Sequence, residues 1–159
     1  FTGCLYFGLM ITSDGPKVIE YNCRFGDPEA QVVLPLLQSD LLEIMLSCER
    51  GTLDKTDVTF SDMSSCCVVL VSSGYPGKYE TGFPIKIGDI KGSIYFAGVK
   101  REGDSIVTSG GRVLGVTCVA NTLEDAIKAA YRDAEQIAFK SKYMRTDIGA
   151  EALLALSLI

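Results

Sequence analysis

Histidine and tryptophan are both absent from the 159 residues of the chain. Without histidine, the chain alone cannot perform Ser-His-Asp hydrolysis, Cys-His proteolysis or histidine general-base catalysis. An HExxH zinc site is excluded for the same reason. Any metal bound by this chain must therefore have oxygen or sulfur ligands.

Long apolar runs and excess positive charge are lacking too. No run approaches the roughly 18 apolar residues of a transmembrane helix, and the opening FTGCLYFGLM lacks the basic segment and cleavage site of a signal peptide. The formal net charge is −5 and the isoelectric point is near 4.7. Because phosphate-backbone binding needs a basic surface, we expect no nucleic-acid partner and no membrane contact.

The six cysteines do not follow a disulfide or metal-binding pattern. There is no CxxC, Cys66 and Cys67 are adjacent, and several cysteines lie in apolar runs such as SSCCVVLV and GVTCVA. Cysteine in such runs acts as a small buried hydrophobe. These features favour a reduced, cytoplasmic protein.

The first part of the chain predicts a β-hairpin followed by helices. Residues 4–12 are apolar, SDGP at 13–16 is a turn signal, and KVIEYN at 17–22 alternates in polarity. Asp27 is predicted to cap a helix that begins at Pro28, and Pro35 should kink or end it.

A second helix is predicted from about Asp40 to Arg50, where Asp40 and Glu43 have capping-box spacing and Gly51 is a stop signal. The polar stretch 51–65 is the candidate domain boundary. Strands are then predicted near 65–73, 94–99, 105–108 and 112–120, and a helix over 122–139 that buries Ile127 and Ile137.

Together these elements predict an α+β protein. Residues 1–62 would form a β-hairpin with helices, and residues 63–159 a small β-rich domain with one packed helix.

The stretch GPKVIEYNCRFGDPEAQ, residues 15–31, concentrates the polar groups that could carry chemistry. Glu20 and Asn22 lie two residues apart on a strand and should share a face. Their oxygens are ligands that Mg²⁺ accepts, and Mg²⁺ needs few protein ligands because it keeps waters and substrate phosphates. The alternative interpretation is an exposed polar face of a hairpin.

The residues that follow extend this candidate site. The guanidinium of Arg24 could cover a phosphate or an acyl phosphate as charge develops. Phe25 and Gly26 force a turn, after which Asp27 and Glu29 place two carboxylates at a helix start. Those carboxylates could equally serve only as a helix cap and a complement to the helix dipole.

The chain resembles the glycinamide ribonucleotide synthetase family, also called phosphoribosylamine–glycine ligases, which are ATP-grasp enzymes of purine biosynthesis. The similar segments, in the family's order, are YFGLM at 6–10, GPKVIEYNCRFGDPE at 15–29, VLPLL at 33–37, SGYPGKY at 73–79, SGGRVLGVT at 109–117 and RTDIG at 145–149. The resemblance covers nearly the whole chain and includes two long, separated motifs.

The resemblance implies a reaction and its participants. ATP phosphorylates glycine, and the amine of 5-phosphoribosylamine attacks the glycyl phosphate to give glycinamide ribonucleotide, ADP and phosphate. The family pattern implies Mg²⁺ or Mn²⁺ at Glu20 and Asn22, Arg24 beside the phosphoryl and acyl-phosphate region, and Asp27 at the substrate amine. Ile19 could present an apolar surface to adenine, or could simply belong to the core.

In the second half, the turn Gly110–Gly111–Arg112 could face a phosphoribosyl group through its amides and guanidinium. The alternative is a tight β-turn followed by a surface arginine. Tyr75, Pro76 and Gly77 favour a structural turn, and Lys78 could reach a phosphate.

The chain departs from the family pattern because it has neither the glycine-rich phosphate loop nor the first ATP-grasp lobe. We therefore expect residues 1–159 alone to be inactive and to need the remainder of the same enzyme chain. Two other functions remain open: a different ATP-grasp ligase or carboxylase, which the Glu-x-Asn pair alone would permit, and a non-catalytic binding module.

Overall fold

A computed structural model describes residues 1–157 and divides into two compact units. The first unit is Phe1–Ser61, and the second begins at Asp62. None of the four sheets in the described part of the chain takes strands from both units. No helix within residues 1–157 has the length and apolarity needed to cross a membrane.

The first unit opens with the predicted hairpin. Strand β1 (Tyr6–Thr12) pairs antiparallel with β2 (Gly15–Asn22). The register shifts between Gly8, which is opposite Glu20, and Leu9, which is opposite Val18. Ile19 is therefore the extra residue of a β-bulge, a feature that simple alternation along β2 did not predict.

The helix predicted to start at Pro28 starts later. Helix α1 is Ala30–Val33, and a 3₁₀ turn, Leu34–Leu36, follows at the predicted proline break. Asp27 is not the N-cap, because Glu29 occupies that position and makes no side-chain cap bond. The Asp27 carboxylate instead accepts a hydrogen bond from the side chain of Gln31 (3.1 Å).

The second predicted helix is confirmed. Helix α2 is Leu41–Arg50, and the Asp40 side chain accepts hydrogen bonds from the backbone amides of Leu42 (2.8 Å) and Glu43 (3.1 Å). Gly51 ends the helix in the left-handed conformation (φ 68°), which glycine adopts without a side-chain penalty.

The second unit is built around one antiparallel sheet. Its strands, in chain order, are β3 (Ser64–Ser72), β4 (Lys86–Ile87), β5 (Ser93–Phe96), β6 (Val99–Glu102), β7 (Ser105–Thr108), β8 (Arg112–Ala120), β9 (Ile137–Ala138) and β10 (Lys142–Tyr143). The main sheet has the order β10-β3-β8-β5, while β4 pairs with β9 and β6 with β7. The predicted strands therefore form, although the one predicted over 94–99 ends at Phe96. The short strands β4, β6, β9 and β10 are additions.

Helix α3 (Leu123–Glu135) packs on β3 and β8, and a further helix, α4, is Ala150–Leu156. The predicted helix over 122–139 is too long at its C-terminal end. Ile137 is fully buried, as predicted, but it lies in β9 opposite Ile87. Ile137 is buried by strand pairing, because α3 has already ended at Glu135. The apolar spacing therefore predicted the burial of Ile137 but assigned it to the wrong element.

The core of the second unit lies between α3 and the main sheet. Its buried side chains are those of Cys66, Val68, Leu70, Val113, Leu114, Val116, Cys118, Ala126, Ala130, Ala134, Ile137 and Phe139. Burial raises the pKa of the Cys66 and Cys118 thiols to about 11. These two cysteines therefore behave as the predicted small hydrophobes.

Asp133 is a buried carboxylate on α3, with only 1% of its surface exposed. It accepts hydrogen bonds from the amides of Lys91 (2.9 Å) and Gly92 (2.7 Å) and from the Arg132 guanidinium (2.8 Å). Burial alone would raise the pKa of Asp133, but these hydrogen bonds outweigh burial and lower it. Asp133 thus fastens the segment before β5 to α3.

We expect Asp133→Ala to lower the free energy of unfolding by at least about 2 kcal/mol, because two amides lose a charged acceptor and a hydrogen bond to a charged group contributes about 1.5–3 kcal/mol. Since the folded-state pKa is lowered, this stabilisation is present above the unfolded pKa and is lost as pH falls through the folded value. The difference in the free energy of unfolding between wild type and Asp133→Ala, measured by urea unfolding, should therefore shrink below about pH 4.

The matched control is Glu135→Ala on the same helix. Glu135 is 64% exposed and pairs with Lys142 at 3.6 Å. Its removal should change the free energy of unfolding by less than about 0.5 kcal/mol. Equal effects of the two substitutions would contradict the role assigned to Asp133.

Candidate active site

One face of the hairpin carries the predicted metal pair. Glu20 and Asn22 are on β2, and their register partners on β1 are Gly8 and Tyr6. The Asn22 side-chain amide donates a hydrogen bond to Oε1 of Glu20 (3.1 Å), so the two polar groups lie on the same side of the strand.

Gly8 makes room for the Glu20 side chain. A Cβ atom placed on Gly8 would lie 2.9 Å from Cγ of Glu20, which is closer than real Cβ contacts come. Any larger residue at position 8 would force Glu20 out of its present conformation. Position 8 therefore requires glycine because the Glu20 side chain occupies the space beside it.

The chemistry of the pair fits a hard divalent cation. The Glu20 carboxylate is exposed, and the Asn22 amide lies directly beside it; turning that amide over would bring its oxygen next to the carboxylate. Within residues 1–157 no group of three or more histidine, cysteine, aspartate or glutamate side chains could hold a metal. The two oxygen donors match Mg²⁺, which takes one or two protein ligands and completes its shell with water and phosphates.

Ile19 lies at the bulge beside Glu20 and is 62% exposed. Within residues 1–157, Ile19 therefore lies outside the core. Its exposed side chain stays a candidate for apolar contact with adenine.

Arg24 lies directly after β2 and has an exposed guanidinium. Its Nη1 donates to the backbone carbonyl of Phe25 (2.7 Å), and no carboxylate within residues 1–157 forms an ion pair with it. Arg24 therefore does not hold the turn by an ion pair to Asp27 or Glu29. Its remaining N–H groups face solvent, where they can serve as donors to an anion.

Glu29 is held at the start of α1 by a residue from the hairpin. The Tyr6 hydroxyl donates to Oε1 of Glu29 (3.1 Å), and a Cβ on Gly26 would collide with the other carboxylate oxygen of Glu29. The pKa of Tyr6 is raised, first by this hydrogen bond and further by burial and by the negative charges of Glu29 and Glu20. Tyr6 is thus close to both carboxylates, which sequence spacing alone did not reveal.

The turn at 109–112 lies in the second unit, on a different unit from Glu20 and Arg24. The carbonyl oxygens of Gly110 and Gly111 accept hydrogen bonds from the Ser72 hydroxyl (3.0 Å) and amide (2.8 Å). A Cβ on Gly111 would collide with the ring of Tyr75. The two motifs SGYPGKY and SGGR therefore meet, and Gly111 is glycine because an aromatic ring covers it.

A small pocket of about 260 Å³ is lined partly by residues of the SGYPGKY motif. Its lining residues are Ser73, Lys78, Tyr79, Glu80 and Ser141. Lys78 faces this pocket, which is open to solvent. The adjacent Glu80 makes an ion pair with Lys140 at 3.8 Å. The lining therefore carries side chains of both charges.

Two sequence profiles match the chain, one in each unit. Residues 65–151 match the phosphoribosylglycinamide synthetase C domain, and residues 1–30 match the ATP-grasp (A) domain of the same synthetase. The chain belongs to the phosphoribosylglycinamide synthetase family. Glu20, Asn22, Arg24 and Asp27 fall in the ATP-grasp match, whereas Gly110–Arg112 falls in the C-domain match.

Curated relatives of the family align with almost the entire chain. A phosphoribosylamine–glycine ligase of Chlorobaculum tepidum is 48% identical over 96% of this chain and 37% of that protein. A bifunctional purine biosynthetic protein of Pichia angusta is 49% identical over 94% of this chain and 20% of its own length. The chain thus spans about a third or less of the relatives that it matches.

A solved member of the family has the same fold. The crystal structure of phosphoribosylamine–glycine ligase from Thermotoga maritima superposes with a TM-score of 0.80 at 38% identity, covering 91% of this chain and 36% of that one. The α+β fold predicted from the sequence, with its ATP-grasp relationship, is therefore confirmed.

Proposed function

We propose that the protein is an ATP-dependent ligase that joins glycine to 5-phosphoribosylamine, and that this chain contributes the end of its ATP-grasp domain and its C domain. The observation that carries this proposal is the hydrogen-bonded Glu20–Asn22 pair on an exposed hairpin face, inside the segment that matches the synthetase ATP-grasp profile. The relatives named phosphoribosylamine–glycine ligase support the same reaction.

In the proposed reaction, the carboxylate of glycine takes the γ-phosphoryl group of ATP and ADP leaves. The amine of phosphoribosylamine then attacks the glycyl carbonyl, phosphate leaves, and glycinamide ribonucleotide forms. This product places the protein in purine biosynthesis. The substrates are small molecules, and a cytoplasmic location is part of the proposal.

Each candidate residue of the first unit would have a role that fits its side-chain chemistry. Glu20 and Asn22 would hold Mg²⁺ or Mn²⁺, which when bound neutralises charge on the nucleotide phosphates. Arg24 would donate hydrogen bonds to the transferring phosphoryl group, and Asp27 would accept one from the substrate amine. Ile19 would contact adenine.

We assign residues 1–62 to the C-terminal portion of the ATP-grasp domain and residues 63–159 to the small C domain. In the latter, Gly110, Gly111 and Arg112 would face the phosphoribosyl group. The hydrogen bonds from Ser72 to Gly110 and Gly111 fix the turn in place, so a structural role and substrate contact are compatible there.

A substrate-omission assay on the full-length protein tests this proposal. ADP release should require glycine, phosphoribosylamine and Mg²⁺ together, and the product should be glycinamide ribonucleotide by mass. Residues 1–159 alone should show no turnover under the same conditions. ADP release that instead depends on bicarbonate or a biotin carrier would favour a different ATP-grasp carboxylase, and no nucleotide turnover at all would favour a binding module.

A further inference from the structure

Tyr6 links two parts of the candidate site that are separate in the sequence. It lies opposite Asn22 in the hairpin, so its side chain shares the face that carries Glu20 and Asn22. Its hydroxyl reaches across to Glu29, 23 residues away, at 3.1 Å. One hydrogen bond therefore ties β1, the strand that pairs with the proposed metal-binding strand β2, to the start of α1.

Glu29 is in turn fixed by the loop that carries Arg24 and Asp27. Its second carboxylate oxygen lies over Gly26, at a distance that no Cβ atom would permit. The backbone amide of Ala30 also donates to the Gly26 carbonyl (3.0 Å), which holds the loop against the same helix start. The glycine loop and the hairpin thus converge on one carboxylate.

We propose that Tyr6 and Glu29 are positioning residues, which hold the Glu20–Asn22 pair in register with the loop of Arg24 and Asp27. Neither side chain would touch substrate or metal; both would act through the residues that do. This inference rests on the proposed function, because it assumes that Glu20 and Asn22 bind the metal. Outer-sphere partners of metal ligands typically contribute about 10–100-fold to metal affinity or activity.

The experiment compares Tyr6→Phe, Glu29→Ala and Glu29→Gln in the full-length protein. Tyr6→Phe and Glu29→Ala should each lower kcat by about 10–100-fold and raise the Mg²⁺ concentration for half-maximal rate. The double variant should be no worse than either single variant, because both remove the same hydrogen bond. Glu29→Gln keeps an oxygen that accepts from Tyr6, and it should stay close to wild type.

Tyr21→Phe is the matched control. Tyr21 lies on the same hairpin, is 62% exposed, and its ring contacts Phe7 edge-on at 5.1 Å between centroids. No hydrogen bond to its hydroxyl is formed within residues 1–157. Removing the Tyr21 hydroxyl should therefore leave both kcat and the Mg²⁺ dependence unchanged.

Three outcomes would overturn the inference. The first is Tyr6→Phe with unchanged kcat and Mg²⁺ dependence while Glu20→Gln is inactive. The second is that Tyr6→Phe and Glu29→Ala lower the Tm but keep a normal kcat well below that temperature, which would mean that the hydrogen bond only stabilises the fold. The third is Glu29→Gln as impaired as Glu29→Ala, which would mean that the charge itself is used. If Glu20→Gln is also fully active, the proposed metal site itself is wrong.

Discussion

Replacing Glu20 with glutamine in the full-length protein is expected to reduce Mg²⁺-dependent turnover by more than about 100-fold. Losing an outer-sphere partner of a metal ligand already costs about 10–100-fold, and Glu20 is the only charged group of the proposed pair. Glutamine keeps the length of the side chain and an oxygen that can accept from Asn22. The fold should therefore survive, with Tm close to wild type.

The measurement is the initial rate of ADP release over a series of Mg²⁺ concentrations. The variant should need far more Mg²⁺ for its half-maximal rate, if saturation is reached at all. Glu43→Gln is the control, because Glu43 is an exposed carboxylate in the first turn of α2. Turnover and Mg²⁺ dependence unchanged in Glu20→Gln would remove Glu20 and Asn22 from the metal site.

The hairpin and α2 could be predicted because their signals are local. Alternating polarity with a turn sequence defines β1 and β2, and Asp40 and Gly51 lie at the two ends of α2. Each signal uses backbone preferences of residues a few positions apart. Such preferences act whether or not the rest of the chain is folded.

The predictions that failed concern a helix start and a helix end where the side chains have other partners than those predicted. Asp27 has the residue type of an N-cap, but its carboxylate bonds to the Gln31 side chain and the helix begins three residues later. Ile137 fits the apolar spacing of α3, but pairing with Ile87 in a short sheet takes it out of the helix. The partner of Ile137 lies on another strand, which no single helix offers. The partner of Asp27 lies only four residues away, so that failure concerns a choice between two local hydrogen bonds.

Only part of the candidate site could be predicted from the sequence, because the rest depends on contacts between residues far apart in the chain. Glu20 and Asn22 could be placed on one face because a strand repeats every two residues. The contact of Tyr6 with Glu29 spans 23 residues, and the meeting of Tyr75 with Gly111 spans more. No periodicity connects residues so far apart, so these contacts emerge only when the hairpin and the sheet are formed.

The second large effect is expected at Arg24. Its guanidinium is exposed, lies two residues past Asn22, and makes its hydrogen bond to the neighbouring Phe25 carbonyl (2.7 Å). A guanidinium held this way can donate to a phosphoryl group whose charge grows in the transition state. Losing one such preorganised donor typically lowers kcat by about 10²–10³-fold.

We expect Arg24→Ala and Arg24→Lys both to lower kcat strongly with little change in Tm. Lysine should rescue poorly, because it keeps the charge but loses the planar pair of donors. Tm should hold because the contact removed is a single exposed hydrogen bond to the adjacent residue, with no ion pair to a carboxylate of residues 1–157.

Arg50→Ala and Arg50→Lys supply the control, since Arg50 is an exposed arginine in the last turn of α2 and lies outside the proposed site. Its loss should leave kcat unchanged and shift Tm only slightly through the helix dipole. If the Arg24 variants instead melted earlier and kept a normal kcat well below their Tm, Arg24 would be a scaffold residue of the loop. Because the two patterns differ in both observables, one set of rate and melting measurements separates a donor to the phosphoryl group from a brace of the turn.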